Sequence, residues 1–468
     1  GITAVSGSSL LLASLDDFTL DPIGCQEFIQ GGVIYENRTL FQEIKKLEPA
    51  TCFSYKDGRF ATKETYWSVS ELKPEYLDGN VALEALKSAI QAAARRIGSL
   101  FPRILCDLTG GYDSRTLVAG FISAATPIST TVSGPPDSPD VKVSSTLASL
   151  ASLTHLQSDP GPIHSYGQIR RALQLTDGEY DIVEYARTYE IHQENAKAYD
   201  ISLNGSFGEV ARGYWWEILS PRIGKPEILR AERVARMRYV PKGIDETIFP
   251  PDQRIDLERH YADIIRRNNR DLDAYPNTFQ LDNAYLRLRM HRWQGRIATS
   301  TNQIWPCLSP FMFRSILEVM LQTSHHLRRR SLMIRMLLPL LDLRLAEYPL
   351  EHGYPPLPAT LRTLHRFWPI VPLYMRKATS SLKRFWNKSA TSTGPTSAIV
   401  RLLLWQDSQI REILDCRNML ATTILDGDVL KDFLFRSRQR EFPYNGQWAR
   451  VLTLECTLRS LKDAERTR

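Results

Sequence analysis

Leu105-Cys106-Asp107-Leu108-Thr109-Gly110-Gly111-Tyr112-Asp113-Ser114-Arg115 is the stretch that most restricts how this chain can fold. The mostly apolar Arg103-Ile104-Leu105-Cys106 predicts a short strand. A hydroxyl and two glycines then predict a tight turn, and Thr116-Leu117-Val118-Ala119-Gly120-Phe121-Ile122 predicts a helix packed on a core. Adjacent glycines let backbone N–H groups point into one concavity without Cβ obstruction. Thr109 and Ser114 add hydroxyl donors, and a helix N-terminus behind the turn favours an anion. Such a loop suits phosphate oxygens. Asp113 fits beside phosphate only with a cation such as Mg²⁺ between them. The bland alternative is an ordinary Gly-Gly turn between strand and helix. No lysine follows the glycines, which excludes the nucleotide loop that ends in Gly-Lys-Ser/Thr.

The chain has 468 residues, room for two or three domains. Its 59 Lys+Arg exceed its 52 Asp+Glu by a formal +7, a mild excess that fits phosphate-bearing substrates or an anionic surface and does not point to nucleic acid. Cys25, Cys52, Cys106, Cys307, Cys416 and Cys456 are scattered without a CxxC pair, so reduced, cytoplasmic cysteines are expected rather than a zinc site or disulfide framework. His325-His326, before Arg328-Arg329-Arg330, reads as a solvated helix end. No apolar run reaches the roughly 18 residues of a membrane span. The start, Gly1-Ile2-Thr3-Ala4-Val5, has neither a basic signal-peptide region nor an initiator Met, as expected of a fragment or processed product.

Residues 1–67 read as short strands with turns: Leu10-Leu11-Leu12-Ala13-Ser14 as a buried strand, and the runs 51–55 and 61–67 as a hairpin around Lys56-Asp57-Gly58-Arg59. Val81 to Gly98 reads as an amphipathic helix with Leu83, Leu86, Ile90 and Ala93 on one face. Pro127 to Gly134 is a β-branched strand ending in glycine. Ser138-Pro139-Asp140 then opens a helix expected to reach His155, with Ser138 as N-cap and Pro139 first. In an open parallel sheet ligands bind at the carboxyl ends of strands, so strands ending at Leu108 and Val132 place both on one rim. A helix from Asp181 to Tyr199 precedes a third strand, Ile201-Ser202-Leu203, which leads into Asn204-Gly205-Ser206-Phe207-Gly208-Glu209-Val210-Ala211-Arg212-Gly213-Tyr214. Arg254 to Ile297 and Arg314 to Leu341 read as helical, and Leu350 to Pro356 as a loop.

The first loop resembles the Ser-Gly-Gly-x-Asp-Ser pyrophosphate loop of ATP pyrophosphatases, with Thr109 for the serine. The likeness widens to class B asparagine synthetases. Arg38-Thr39-Leu40-Phe41, then Ile44-Lys45-Lys46-Leu47-Glu48-Pro49 and Tyr66-Trp67, are similar to the end of that family's glutaminase domain. The strand–Gly–SerProAsp–helix order resembles the segment that meets adenine there, and Gly295-Arg296-Ile297 through Pro310-Phe311 the one that closes the nucleotide site. Asn204 to Tyr214 resembles the family's second glycine-rich loop, but is one residue shorter and lacks two of its acids. Glu209 is the acid left for metal or proton work. Arg212 is additional; it suits a phosphate or carboxylate contact, or a surface salt bridge. The family's charge-neutralising lysine has no counterpart, since no lysine lies between Lys242 and Lys377.

The resemblance implies an α/β chain: a parallel-sheet pyrophosphate-loop synthetase domain over 69–358, behind a partial β-rich glutaminase-like domain over 1–68, with a helical region over 359–468. Leu108, Thr109, Gly110, Gly111, Tyr112, Asp113, Ser114, Val132, Asn204 and Gly205 would hold ATP; Asp113 and Glu209 would hold Mg²⁺; Asp113, Glu209 and Arg212 would act in catalysis. The implied reaction adenylates a carboxylate and passes the acyl group to ammonia or an amine. Intramolecular amide closure of the β-lactam synthetase or lasso-peptide cyclase type is the second reading, and a non-catalytic nucleotide-binding scaffold the third. Residues 361–388 interleave aromatics with bases and contain no acid, which suits either anionic lipid or a basic surface helix over a core. Ser389 to Ser397 reads as a linker, and Ala398 to Leu461 as two or three helices.

The family's glutamine chemistry needs an N-terminal thiolate, and this chain begins at Gly1 with its first cysteine at position 25. Glutamine is therefore expected not to be hydrolysed by the chain as given. A glutaminase assay checks this, and glutamate release above background contradicts the reading of residues 1–67.

Overall fold

A computed structural model describes residues 4–57, 59–368 and 396–466. Its centre is a five-stranded parallel sheet of β3 (Ile104–Asp107), β4 (Ser129–Ser133), β5 (His155–Ser158), β6 (Ile201–Leu203) and β7 (Cys307–Leu308), in the order β5-β4-β3-β6-β7. β3 is the middle strand, with Leu105 opposite Ser129 of β4 and Ile104 opposite Ile201 of β6. Helices cover the sheet, so Ile104, Leu105 and Cys106 are all buried, as the unbroken apolar run requires. The chain moves outward from β3 to β4 and β5, then returns to the other flank of β3 with β6 and β7. The order thus reverses between β3 and β6. At such a switch point the loops at the carboxyl ends diverge and leave a crevice.

The helix α3 (Gly79–Leu100) buries Leu83, Leu86, Ile90 and Ala93 against α4 (Asp113–Ser123) and Leu332–Leu341, as its apolar spacing predicts. Ser138 caps α5 (Pro139–Leu150) by accepting the Val141 N–H, with Pro139 in the first turn. α5 stops at Leu150 instead of running to His155. Ser152 turns the chain at φ 56° and His155 opens the edge strand β5. β5 and β7 were not legible as strands. One is polar and the other is two residues long, so neither carries a period.

The N-terminal segment departs most from the sequence reading. Leu10-Leu11-Leu12-Ala13-Ser14 is not a strand: Ser9–Ala13 is a helical turn (α1), because Ser8 caps it by accepting the Leu11 N–H. Pro22–Gly31 forms α2, capped by Asp21, with Cys25 buried inside it. The hairpin is present as β1 (Thr51–Lys56) paired antiparallel with β2 (Arg59–Thr65). α2 packs on the C-terminal helix Asn445–Arg466, and both join α6 (Tyr166–Thr176) and α7 (Ile182–Asn195) in a second apolar core. The tail holds four α-helices (Ala398–Leu404, Ser408–Ile413, Gly427–Arg436 and Asn445–Arg466) rather than two or three.

The helical region from Arg254 is segmented: one stretch ends at Leu272, Pro276 is the N-cap of Asn277–Ala284, and a ten-residue π-helix covers Tyr285–Gln294. His325 and His326 begin a short helix rather than end one, and His325 contacts Glu75 at 2.9 Å. The basic run 361–388 and the linker 389–397 lie largely outside the described residues; Leu364–Phe367 is a 3₁₀ turn. Among the described residues no helix is long and apolar enough to cross a membrane.

Arg328 braces the sheet's second flank. Its guanidinium donates to the Val210 carbonyl (2.8 Å) and pairs with Asp282 (2.7 Å), both side chains almost fully buried. Asp282 also accepts the Trp216 indole N–H at 3.0 Å. Burial raises Asp282 to about 6 against the pull of Arg328. Arg328→Met strands that buried carboxylate and is expected to cost about 3–5 kcal/mol in urea unfolding. Arg103→Met, at the exposed Arg103–Asp200 pair, should leave the midpoint almost unmoved.

Candidate functional site

The site is built from two loops leaving adjacent strands at the switch point. After β3, Leu108 turns inward and donates its N–H to the Thr131 carbonyl of β4 at 2.8 Å. The Thr109 N–H donates to Ser114 Oγ (2.9 Å), and the two hydroxyls lie 3.0 Å apart. The Gly110 N–H donates to Asp140 Oδ1 at 2.8 Å, and the Gly111 N–H reaches Thr109 Oγ1 at 3.4 Å. One loop N–H, that of Gly110, is thus taken by a carboxylate from the first turn of α5. Behind it, the fully buried Arg115 donates to the carbonyls of Gly110 (3.2 Å), Leu345 (3.2 Å), Tyr348 (2.6 Å) and Pro349 (3.1 Å). That fan ties the loop to residues 345–349.

The second loop, Asn204 to Gly213, closes on the first. A Cβ on Gly205 would lie 2.5 Å from the Ser114 nitrogen, and one on Gly208 would lie 2.8 Å from Asp113 Cβ. Only glycine permits this approach. Asn204 is held by Ser309, whose hydroxyl donates to Asn204 Oδ1 at 2.7 Å. Arg212 grips Asp113 with both arms, Nε to Oδ1 at 2.8 Å and a terminal nitrogen to Oδ2 at 2.6 Å. Its guanidinium also lies 5.4 Å from the Tyr112 ring centre. Arg335 approaches the same tyrosine, donating to its hydroxyl at 3.0 Å.

Glu209 sits beside this pair, with Oε2 buried and without a hydrogen-bond partner and Tyr285 as its neighbour. Burial, then the Asp113 charge, raise the Glu209 pKa above the ordinary carboxylate range. Burial likewise raises Asp113, opposed by Arg212. Asp113, read from the sequence as a metal acid, is turned to Arg212. Both Asp113 oxygens are engaged by Arg212, and no group of three or more His, Cys, Asp or Glu among the described residues is placed to hold a metal. The positive charge beside Asp113 is the guanidinium.

At the carboxyl ends of β3 and β4 opens a cleft of about 460 Å³, lined by Asp107, Thr131, Ser133, Gly134, Glu184 and Asn195 among others. Val132 itself points into the core, and its neighbours line the cleft. Burial raises Asp107 to about 7, and burial with the adjacent Asp181 raises Glu184 to about 7. The Asp107 carboxyl has no hydrogen-bond or ion-pair partner among the described residues. The cleft thus holds two carboxyl groups that burial pushes up toward neutrality.

The structure thus brings together Tyr112, Asp113, Ser114, Gly205, Glu209 and Arg212, with Thr109 and Gly110 on the same loop. Sequence reasoning missed Asp140, Arg115, Arg335, Asp107 and Glu184. Asp107, an acid ending an apolar strand, and Asp140, in the SerProAsp helix start, carried a signal. Cys25 is completely buried, which raises its thiol pKa far above the ordinary range. The chain matches no family model and no curated protein sequence.

The pKa of Asp107 sets a stability test. The folded chain holds this proton to about pH 7, while an unfolded aspartate releases it near about pH 4. The native state binds more protons in that window, so this group lowers stability as pH rises through it. Asp107→Asn is expected to be more stable than the parent at pH 8 and to show no such gain at pH 4, read by thermal unfolding. An equal gain at both would assign the effect to packing.

Proposed function

We infer that this chain is an ATP-dependent amide-forming ligase of the asparagine synthetase type. In this reading it activates a carboxylate as an acyl-adenylate, releasing pyrophosphate, and ammonia or an amine then displaces AMP. The observation that carries the reading is the interlock of two glycine-bearing loops at the switch point of a parallel sheet, with Gly205 and Gly208 against Asp113 and Ser114. Supporting it are the order of the sequence features and the cleft at the carboxyl ends of β3 and β4, where an open α/β sheet takes a nucleotide. The finer assignment, a pyrophosphate-loop domain behind a remnant glutaminase segment, belongs to the same proposal.

The residues have separable roles in it. Arg212 and Arg335 flank Tyr112 and supply fixed positive charge for anionic oxygens, in part the work that the absent lysine would do. Asp113 orients Arg212. Glu209 is poised to hold or accept a proton at its unpartnered oxygen. The Gly110 N–H becomes available to a phosphate oxygen when Asp140 yields it. Mg²⁺ would neutralise phosphate charge when it enters with the nucleotide.

A non-catalytic nucleotide-binding homologue is the second reading. It is favoured by the same contacts, since Asp113 and Gly110 are both engaged within the protein. Pyrophosphate release from ATP, measured over a panel of carboxylates with ammonia present, separates the two. Release is expected from the parent chain, and Arg212→Ala is expected to lower it at least ~100-fold, the scale of one preorganised electrostatic contact. ATP binding without release from the parent chain, whatever acid is offered, supports the scaffold.

A further inference from the structure

Away from that crevice, a cavity of about 350 Å³ lies between the base of the β1–β2 hairpin and the π-helix Tyr285–Gln294. Its walls are mainly apolar: Trp67, Val69, Phe207, Leu286, Met312 and Leu317. The polar side chains around it are mostly satisfied. The Trp67 indole N–H donates to Glu318 at 2.8 Å, Thr51 Oγ1 donates to the Pro49 carbonyl at 3.1 Å, and the Ser68 and Ser70 hydroxyls pair at 2.8 Å. Glu48 is neutralised by Lys63 at 2.8 Å. Burial and nearby cations lower His291 to about 4, so it carries no charge at neutral pH. Arg287 is left: it lines the cavity, is exposed, and its guanidinium has no ion-pair or hydrogen-bond partner among the described residues.

Two backbone features mark the walls as specialised. A π-helix of ten residues is rare, and such segments concentrate at functional sites. Phe207 holds φ 74°, a left-handed conformation that is costly for a bulky residue and persists only where surroundings enforce it. Both features also touch the crevice: Tyr285 neighbours Glu209, and Gly208, next to Phe207, abuts Asp113.

We propose that this cavity binds an organic monoanion with an apolar body, a carboxylate whose hydrocarbon part fills the pocket while its charge meets Arg287. An apolar pocket with a single oriented charge is how small amphipathic ligands are held. A neutral ligand would leave Arg287 unmatched, and a polyanion would not enter the apolar walls. The proposal stands apart from the adenylation reading, because its test uses neither ATP nor turnover.

Isothermal titration of the full chain with decanoate, 2-naphthoate and decanol tests it. Stoichiometric binding of a carboxylate is expected, and the tighter of the two acids tells a fatty acyl from an aryl source. Arg287→Gln should weaken carboxylate binding by roughly 10-fold or more, the scale of one charge-assisted hydrogen bond, and leave decanol unchanged. Met312→Trp, at a position 40% exposed and tolerant of bulk, should block all three ligands while keeping the parent's thermal unfolding. Absence of binding to the parent chain, binding of decanol as tight as decanoate, or carboxylate binding undiminished in Met312→Trp would each overturn the proposal.

Discussion

Asp113 and Arg212 meet across the crevice between β3 and β6, and the arrangement of the site follows from that bidentate pair. Asp113 begins the helix after the first glycine loop, and Arg212 ends the turn after the second. Both side chains are about one-fifth exposed, so the pair is largely desolvated and neither charge is well placed alone. Two loops that would otherwise diverge from neighbouring strands are held as one surface. The glycines at 205 and 208 are the steric condition for this contact, because a methyl group at either would push the loops apart.

Around that pair the protein supplies rigidity through arginines buried beneath the loops. Arg115 collects four carbonyls under the first loop, and Arg328 joins the Val210 carbonyl of the second to Asp282. Neither reaches solvent. Each satisfies backbone oxygens that would otherwise be buried without donors, in a part of the chain that has little regular helix to satisfy them. The cation above the loops and the bracing below are therefore the same residue type used in two ways. Arg212 and Arg335 face Tyr112 with part of their surface open, whereas Arg115 and Arg328 are structural.

The site's charge balance differs from that of a loop designed around a divalent ion. The acid expected to take metal takes a guanidinium, and the N–H expected to take phosphate takes a carboxylate from α5. Both substitutions preserve the sign of the local field: a positive group beside Asp113 and a negative one at Gly110. Phe207, which lines the apolar cavity, is followed by Gly208, which abuts Asp113.

The sequence by itself determined what depends on near neighbours along the chain. The strand, glycine turn and helix from Ile104 to Ser123, the Ser138–Pro139 cap, the buried face of α3 and the hairpin at 51–65 are all local. Periodicity, capping and turn chemistry act within about four residues, so the residues that cause each feature are adjacent to it. The placement of Asp113, Glu209 and the glycines on two loops was legible for the same reason. Tertiary structure alone decided which partner each polar group found. Asp113 and Arg212 are 99 residues apart, and Arg115 and Tyr348 are 233 apart. It also tied the locally capped turn Ser9–Ala13 to Asp177, where the Ser8 hydroxyl donates to the carboxylate at 2.6 Å. The titration of Asp107 near neutrality was set there too, because that shift comes from burial, which depends on what packs against a residue and not on its neighbours in the chain.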